Sequence, residues 1–310
     1  MNYNPLVTIV IPVYNGANFV AQAIESALNQ TYKNLEILVI NDGSPDNSEE
    51  IIMPYTDRVT YIKKENGGVS TVLNTAIEKM NGQWLSWLSH DDLYTPEKIS
   101  KQVMKLNELI AVNGEENIET FVLSCQDKRI DENGSFLPRG GTVHPEYSDN
   151  YELIAKEVAN YTIGGCTVLA SRRAYKSVGG FDEKNRTISD ADMWFKLMSN
   201  GFTFVFDNEP LVLSRYHKNM VSVKRSDLVE IEKDNFYTKT IKHIAPKIKN
   251  NLLFDIAISM ERLSLPEATE TAFSLYNGDK KKLKLALFNA KLLKNIRKIL
   301  RTIYRKIKWG

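Results

Sequence analysis

The N-terminal part of the chain alternates between short apolar runs and longer amphipathic segments. Apolar runs of the kind found in strands buried on both faces lie at 6–12, 35–40, 59–63 and 83–88. Segments with apolar residues every three or four positions predict helices at 17–30 and 69–80, and a short helix is predicted after residue 46. This order predicts an α/β fold with a mostly parallel sheet and right-handed crossovers.

The pattern becomes less regular after residue 100. Strands are predicted at 121–124 and 167–170, and the polar, Gly-rich segment 131–144 is predicted to be a mobile excursion. The turn residues 179–182 precede an amphipathic helix at 189–197.

The C-terminal part of the chain has a pattern of its own. From residue 280 onward there are 12 Lys and Arg and no Asp or Glu, which leaves 28 basic and 38 acidic residues before it, although the net charge is only +2. Apolar residues recur every three or four positions, at Leu285, Phe288, Leu292, Ile296, Ile299, Ile303 and Ile307.

This pattern predicts a basic amphipathic helix that lies on a membrane surface, where each cation near anionic lipid contributes about 1 kcal/mol. The alternatives are a helix packed on its own domain, an oligomer contact, or a helix that binds a partner or nucleic acid. We favour the membrane because so many cations without an acid exceed what a solvated face needs, and we expect no nucleic-acid partner. A homo-oligomer is left open.

Composition places the chain among globular proteins. It has 310 residues, 43% hydrophobic and 25% charged, which is enough for a full core and excludes disordered and fibrous classes. There is no apolar run of transmembrane length, and the first residues lack the layout of a signal peptide. We therefore expect a cytoplasmic location. Cys125 and Cys166 are predicted to be buried thiols.

Two adjacent acids, Asp91 and Asp92, follow the fourth predicted strand. In an open α/β sheet this position faces the ligand, together with the polar loops 14–16 and 41–44. Neighbouring carboxylates repel each other unless a cation lies between them, which indicates Mg or Mn. The alternative is a polar loop before the helix that starts near Thr95. Neither a Walker A nor a dinucleotide fingerprint follows the first strand, so a nucleotide would be held by carboxylates and a metal.

The order of these motifs resembles glycosyltransferase family 2. The matching segments are Pro12-Val13-Tyr14-Asn15, Asn41-Asp42-Gly43-Ser44 with Asp46, Asn66-Gly67-Gly68 with Asn74, Leu88 to Asp92, Gly179 to Asp182, 189–197, and His217 with Ser222. The resemblance implies a GT-A fold at 1–222, with a Rossmann-like, mostly parallel sheet and flanking helices. A helical extension at 223–278 and the basic helix at 279–310 would follow.

The resemblance also implies an activity. It is inverting transfer of a sugar from a UDP- or dTDP-linked donor to a hydroxyl of a glycan or lipid-linked acceptor, in the synthesis of a bacterial surface polysaccharide. The tail would hold the enzyme at the inner face of the plasma membrane. The residues implied to bind the donor nucleotide are Pro12, Tyr14, Asn15, Asp42, Asn66 and Gly67. Asp42 would accept the imide N–H of the base, and Tyr14 would stack on the base or flank it.

By the same resemblance, Asp92 is the direct ligand of a Mn or Mg ion. Asp91 would contact the metal or the ribose and donor sugar. His217 would be a third contact to metal or diphosphate, and the alternative is a surface or core histidine.

Asp190 is the expected general base, which deprotonates the attacking hydroxyl. Asp192 is the fallback. The alternative for either residue is an N-cap of the helix. Trp194 is expected in the core.

Three positions depart from the family pattern. Ser89 replaces the first acid of the metal motif, Ser189 replaces the acid before Asp190, and the helix after Gly68 lacks an Arg for the diphosphate. One hypothesis is a weaker metal site, and another is that the diphosphate charge is met by Lys63, Lys64 or His217. The alternative function is a non-catalytic sugar-nucleotide or membrane-binding protein with a degenerate site.

Overall fold

The computed structural model describes residues 3–138, 144–160, 163–218, 220 and 226–309, with 226–228 and 297–309 as backbone alone. The strands are β1 Val7–Val13, β2 Leu35–Asp42, β3 Thr60–Lys64, β4 Trp84–Trp87, β5 Leu93–Tyr94, β6 Phe121–Ile130, β7 Val168–Ser171 and β8 Thr203–Arg215. The helices are α1 Val20–Leu28, α2 Ser48–Ile52, α3 Val69–Lys79, α4 Lys98–Asn113, α5 Asn150–Asn160, α6 Arg172–Ser177, α7 Ser189–Ser199, α8 Ser226–Ile244, α9 Asn250–Leu263, α10 Pro266–Leu275 and α11 Lys280–Trp309.

The strands form one mixed sheet in the order β3-β2-β1-β4-β7-β6-β8-β5. The pairs β1–β2, β1–β4 and β2–β3 are parallel, so the carboxyl ends of β1 to β4 share one edge. β7 is antiparallel to both β4 and β6, β8 is parallel to β6, and β5 is antiparallel to β8. The predicted α/β architecture with a mostly parallel sheet and flanking helices is confirmed, whereas the antiparallel orientation of β5 and β7 was not predicted.

The central strand β1 explains why the first apolar run does not alternate. All seven of its residues are buried, because helices cover both faces of a parallel sheet. On one face, Ile9 and Ile11 belong to a core cluster that includes Ala23 and Ile24 of α1. Each such side chain stabilises the fold by about 1.5–3 kcal/mol.

Two element boundaries differ from the sequence prediction. α1 begins at Val20 rather than residue 17, because 17–19 form a turn in which the N–H of Phe19 binds the carbonyl of Gly16 at 3.0 Å. β6 continues to Ile130 because it pairs with β8 as far as Arg215.

The predicted mobile excursion 131–144 begins with an ordered turn. Oδ1 of Asp131 accepts the N–H groups of Asn133 at 2.9 Å and Ser135 at 2.8 Å, and Phe136 bridges back to Ile130. Residues 139–143 of this excursion lie outside the described part of the chain.

By its contacts the chain groups into two compact units, residues 1–144 with 162–224 and residues 145–161 with 225–310. The first contains the sheet. The second contains α5 and α8 to α11, with α9 packed on α5, α10 and α11. Within it, Asp234 of α8 accepts the N–H groups of Glu267 at 3.1 Å and Ala268 at 2.8 Å at the start of α10. The predicted domain boundary at 222 falls outside the described residues.

Helix α11 has two apolar faces. Leu283 and Ala290 are buried within the second unit, whereas Phe288 is 63% exposed and Leu292 is 48% exposed. None of the helices in the described ranges is both long enough and apolar enough to cross a bilayer.

Candidate active site

The loops after β1 and β2 are hydrogen-bonded to each other. Ser44 Oγ accepts the N–H of Asn15 at 3.3 Å, Ser48 Oγ accepts that of Gly16 at 2.9 Å, and Asp46 Oδ2 accepts that of Ala17 at 3.0 Å. Asn15 has a φ of 55°, a value that Asn tolerates better than most residues. Tyr14 is left exposed beside this loop.

The carboxylate of Asp42 lies at the end of β2 and has four donors. Oδ1 accepts Lys64 Nζ at 2.7 Å and the N–H of Gly67 at 2.9 Å. Oδ2 accepts Asn66 Nδ2 at 3.2 Å and the N–H of Gly68 at 2.7 Å. Since a carboxylate has about four acceptor positions, a base imide would have to displace one of these donors. In this structure Asn66 and Gly67 lie in the turn before α3, and Asp42 holds that turn from the end of β2.

Asp91 and Asp92 lie at the end of β4 in different environments. Burial alone would raise the pKa of Asp91, but a hydrogen bond from His217 and the charges of His90 and His217 hold that pKa below its ordinary value. Burial and the charge of Asp91 raise the pKa of Asp92 to about 8. The pKa values of the two acids thus shift in opposite directions, as expected for neighbouring carboxylates of which one is ionised.

His217 contacts Asp91 of this pair, and its predicted contact to metal or diphosphate stays a prediction. Its Nε2 lies 3.0 Å from Oδ2 of Asp91, and its ring centre lies 5.0 Å from that of Phe19. Nδ1 of His217 is buried and has no hydrogen-bond partner within the part of the chain that is described. Ser222, the other residue of the motif that includes His217, lies outside the described residues.

Arg215 at the end of β8 was not singled out from the sequence. It is buried, and its guanidinium donates to the carbonyls of Asp91 at 2.9 Å, Asp131 at 3.2 Å and Glu132 at 3.0 Å. Its Nη2 donates to Oε1 of Gln22 at 2.8 Å. The guanidinium therefore joins the acid loop, the turn after β6 and helix α1 at one point.

Two further contacts fix Asp92. Its Oδ1 accepts the backbone N–H of Arg215 at 2.8 Å. Its Oδ2 lies 3.2 Å from the thiol of Cys166, which is also 3.3 Å from the hydroxyl of Ser89. Both cysteines are free and buried, as predicted. Ser89, which replaces the first acid of the metal motif, therefore contacts the same thiol as Asp92.

The side chains at this sheet edge suit a hard divalent ion whose remaining ligands come from a bound substrate. Two carboxylates and an imidazole meet at one sheet edge, and Mg²⁺ is usually held by one or two carboxylates together with substrate phosphates. Among the described residues, no group of three or more His, Cys, Asp or Glu side chains is arranged to hold a metal ion alone. Asp92 with Asp91 thus fits a shared site, whereas His217 binds Asp91.

The segment around α7 is attached to α3. Asn74 Oδ1 accepts the N–H of Phe181 at 2.8 Å, and Ser189 Oγ lies 2.7 Å from Ser70 Oγ. Asp190 follows on the first turn of α7, where its Oδ1 accepts the N–H of Ala191 at 2.9 Å.

Asp192 and Trp194 have structural contacts on the same helix. Asp192 forms an ion pair with Lys196 at 2.8 Å. Trp194 is buried, and its Nε1 donates to the carbonyl of Ile163 at 3.2 Å, in agreement with the predicted core position.

Comparison with known proteins identifies the family to which the chain belongs. The family model described as glycosyl transferase family 2 matches residues 8–118. A glycosyltransferase of Rickettsia typhi is 38% identical over 282 residues, which cover 88% of this chain and 85% of that protein.

Two solved structures share the fold. S. aureus TarS 1–349 in complex with UDP-GlcNAc matches with a TM-score of 0.58 at 14% identity, over 90% of this chain and 91% of that chain. Mannosyltransferase PcManGT from Pyrobaculum calidifontis, in complex with GDP-Man and Mn²⁺, matches with a TM-score of 0.58 at 16% identity, over 94% of this chain and 81% of that chain. The chain belongs to glycosyltransferase family 2 and is a transferase with the GT-A fold.

Proposed function

We propose that this transferase is inverting and moves a sugar from a UDP- or dTDP-linked donor to a hydroxyl of a glycan or lipid-linked acceptor in the synthesis of a surface polysaccharide. The observation that carries the proposal is the cluster of Asp91, Asp92, Arg215 and His217 at the carboxyl edge of the sheet. Carboxylates at this edge, beside the loops of β1 and β2, suit a nucleotide diphosphate with a divalent ion.

The residues of the cluster have different proposed roles. Asp92, with Asp91, would hold a Mn or Mg ion, which supplies electrostatic stabilisation of the departing diphosphate. Arg215 holds the loop that carries both acids in two ways. Its guanidinium donates to the carbonyl of Asp91, and its backbone N–H donates to the carboxylate of Asp92. Because the guanidinium is buried and has four acceptors, the loop is preorganised before a donor binds.

Asp190 is the proposed base on the acceptor side. It accepts the proton of the attacking hydroxyl while the diphosphate departs from the opposite face of the sugar. Asp192, the alternative, is only 13% exposed at its side chain and is paired with Lys196. Proton transfer to Asp192 would break that ion pair, which argues against Asp192 as the base.

The test compares two isosteric variants. Asp190→Asn is expected to abolish transfer from a panel of UDP- and dTDP-sugars and to preserve donor binding, measured by thermal shift with Mn²⁺. Asp192→Asn, the matched control on the same helix, is expected to keep most of the turnover. If Asp190→Asn transfers sugar at the wild-type rate, the assigned base is wrong. If the wild-type chain binds a donor but transfers from none, the non-catalytic alternative replaces the enzyme.

The metal is tested separately. EDTA is expected to stop transfer and added Mn²⁺ to restore it, and Asp92→Asn is expected to raise the Mn²⁺ concentration that half-saturates the rate. Full activity in EDTA contradicts the metal role.

We also propose that α11 holds the enzyme on an anionic bilayer, at the inner face of the plasma membrane. Leu285, Phe288, Leu292 and Ile296 are spaced by three or four residues, so they form one row, and each is at least 42% exposed. The helix and its end carry 12 cations and no acid, which is complementary to anionic headgroups. Such a helix lies in the membrane interface with its apolar row in the acyl region.

A further inference from the structure

The thiol of Cys166 contacts both ends of the turn that carries the acid pair. Its sulfur accepts the backbone N–H of Ser89 at 3.2 Å and lies 3.3 Å from the hydroxyl of Ser89 and 3.2 Å from Oδ2 of Asp92. A thiol has one proton, and a carboxylate is a stronger hydrogen-bond acceptor than a hydroxyl. The thiol of Cys166 therefore donates to Asp92.

The sheet places Cys166 at this point. β7 is antiparallel to β4, and Ser86 pairs with Leu169 at the end of their ladder. Ser89 lies three residues after Ser86, and Cys166 lies three residues before Leu169, so the two continue the same register. Cys166 thus lies opposite the first position of the metal motif, although the two residues are 77 positions apart in the chain.

The backbone next to Cys166 is fixed by buried polar contacts of Thr167. The hydroxyl of Thr167 donates to the carbonyl of Gly164 at 2.7 Å and lies 3.0 Å from the hydroxyl of Ser124 on β6. Its carbonyl accepts Nε2 of Gln102 on α4 at 3.0 Å. The thiol is therefore presented to the acid pair from a turn that is attached to β6 and α4.

The carboxylate of Asp92 is oriented by two uncharged hydrogen-bond donors. The backbone N–H of Arg215 donates to Oδ1 at 2.8 Å, and the Cys166 thiol donates to Oδ2. Each carboxylate oxygen has about two acceptor positions, so these bonds leave one position on each oxygen for a cation. Because a thiol is a weak and neutral donor, it restricts the carboxylate without neutralising its charge.

We propose that Cys166 is a positioning residue for the metal site, and this inference rests on the proposed function. It holds the carboxylate of Asp92 in place before a sugar-nucleotide and its ion bind. Groups that hydrogen-bond to a metal ligand typically change metal affinity by about 10- to 100-fold when they are mutated. The pairing also gives Ser89 a role, because an acid at that position would compete with Asp92 for the thiol proton.

The test measures Mn²⁺ binding to the full chain in the presence of UDP or dTDP, by electron paramagnetic resonance of the free ion. Cys166→Ala is expected to weaken Mn²⁺ binding about tenfold. Cys166→Ser is expected to lie between Cys166→Ala and the wild type, because a hydroxyl replaces the lost hydrogen-bond donor. Binding of UDP or dTDP in EDTA, measured by calorimetry, is expected to be the same in all three proteins.

Cys125→Ala is the matched control, because Cys125 is the other buried free cysteine and its thiol donates to the carbonyl of Thr167 at 3.4 Å. Both alanine variants are expected to lower the melting temperature by similar amounts, but Cys125→Ala is expected to keep the Mn²⁺ affinity of the wild type. Wild-type Mn²⁺ affinity in Cys166→Ala, or an equal loss in Cys125→Ala, overturns the role of Cys166 alone. If the wild-type chain binds no Mn²⁺ with either nucleotide, the proposed metal site falls and the inference falls with it.

Discussion

The carboxylate of Asp42 accepts the backbone N–H of Gly68 at 2.7 Å across a separation of 26 residues. Gly68 has a φ of 91° and immediately precedes α3, so a carboxylate at the end of β2 holds the residue before the helix that follows β3. The same carboxylate also binds Gly67, Asn66 and Lys64. The turn before α3 is thereby held by a buried acid.

Asp42→Asn is expected to lower the free energy of unfolding by about 2 kcal/mol, because an amide presents an NH₂ group to donors that need an acceptor. Urea unfolding measures the loss. Asp57→Asn is the control, because the Asp57 side chain is 75% exposed, and it is expected to change stability by less than about 0.5 kcal/mol. Unchanged stability in Asp42→Asn, with a raised KM for the donor, would instead favour direct recognition of the base.

Arg215→Lys is expected to lower both stability, by about 3 kcal/mol, and the apparent affinity for Mn²⁺. A lysine cannot reproduce the planar fork that binds Asp91, Asp131, Glu132 and Gln22, so buried acceptors lose their donors. Chemical unfolding and Mn²⁺ titration of the transfer rate check the two effects.

Arg172→Lys is the matched control for Arg215→Lys. Arg172 also donates to backbone carbonyls, those of Ile77 at 2.8 Å and Glu78 at 3.0 Å, but it lies at the start of α6. It is expected to lose stability and to keep the wild-type Mn²⁺ dependence. An equal shift of Mn²⁺ dependence in both variants contradicts a specific role for Arg215.

Lys98 is expected to make stability depend on alkaline pH. It is fully buried, its Nζ donates to Ser86 at 2.8 Å and Gln102 at 2.9 Å, and burial lowers its pKa from 10.5 to about 8. Between these values the unfolded chain binds more protons than the folded one. Stability from this group therefore rises as pH increases from about 8 to 10.5, by about 3 kcal/mol at most.

Lys98→Met measures that dependence. The difference in unfolding free energy between variant and wild type is expected to favour the variant most below pH 8 and to shrink toward pH 10.5, because methionine carries no charge to desolvate. A difference that does not vary over this interval shows that Lys98 keeps its ordinary pKa.

The exposed row of α11 is expected to control membrane binding. Phe288→Gln with Leu292→Gln is expected to lower binding to phosphatidylglycerol-containing vesicles at least about a hundredfold, since each side chain contributes roughly 1.5–3 kcal/mol when buried in lipid. Flotation with neutral phosphatidylcholine vesicles is the comparison, because the difference in binding between the two vesicle types measures the electrostatic contribution.

Ile231→Gln is the control for the α11 row, because Ile231 is 61% exposed on α8 of the same unit. It is expected to bind vesicles like the wild type. If the double variant binds vesicles normally but dissociates a dimer in light scattering, the row is a contact between copies.

The amino-acid sequence by itself determined the local elements, the order of the motifs and the acid pair at a strand end. Periodicity, turn residues and the charge of the tail are local properties, so strands β1 to β4, helix α3 and the helical tail were all predicted from them. The antiparallel placement of β5 and β7 was not, because strand pairing depends on partners far along the chain.

Only the tertiary structure decided how the site is held together. The bonds from Arg215 to Asp91 and Asp92 span 124 and 123 residues, and those from Ser70 of α3 to Asn185 and Ser189 span 115 and 119 residues. The structure also gave Asp42, Lys64 and His217 protein partners where the sequence had suggested ligand contacts. A side chain's role depends on which donors and charges surround it after folding, and local sequence does not contain that information.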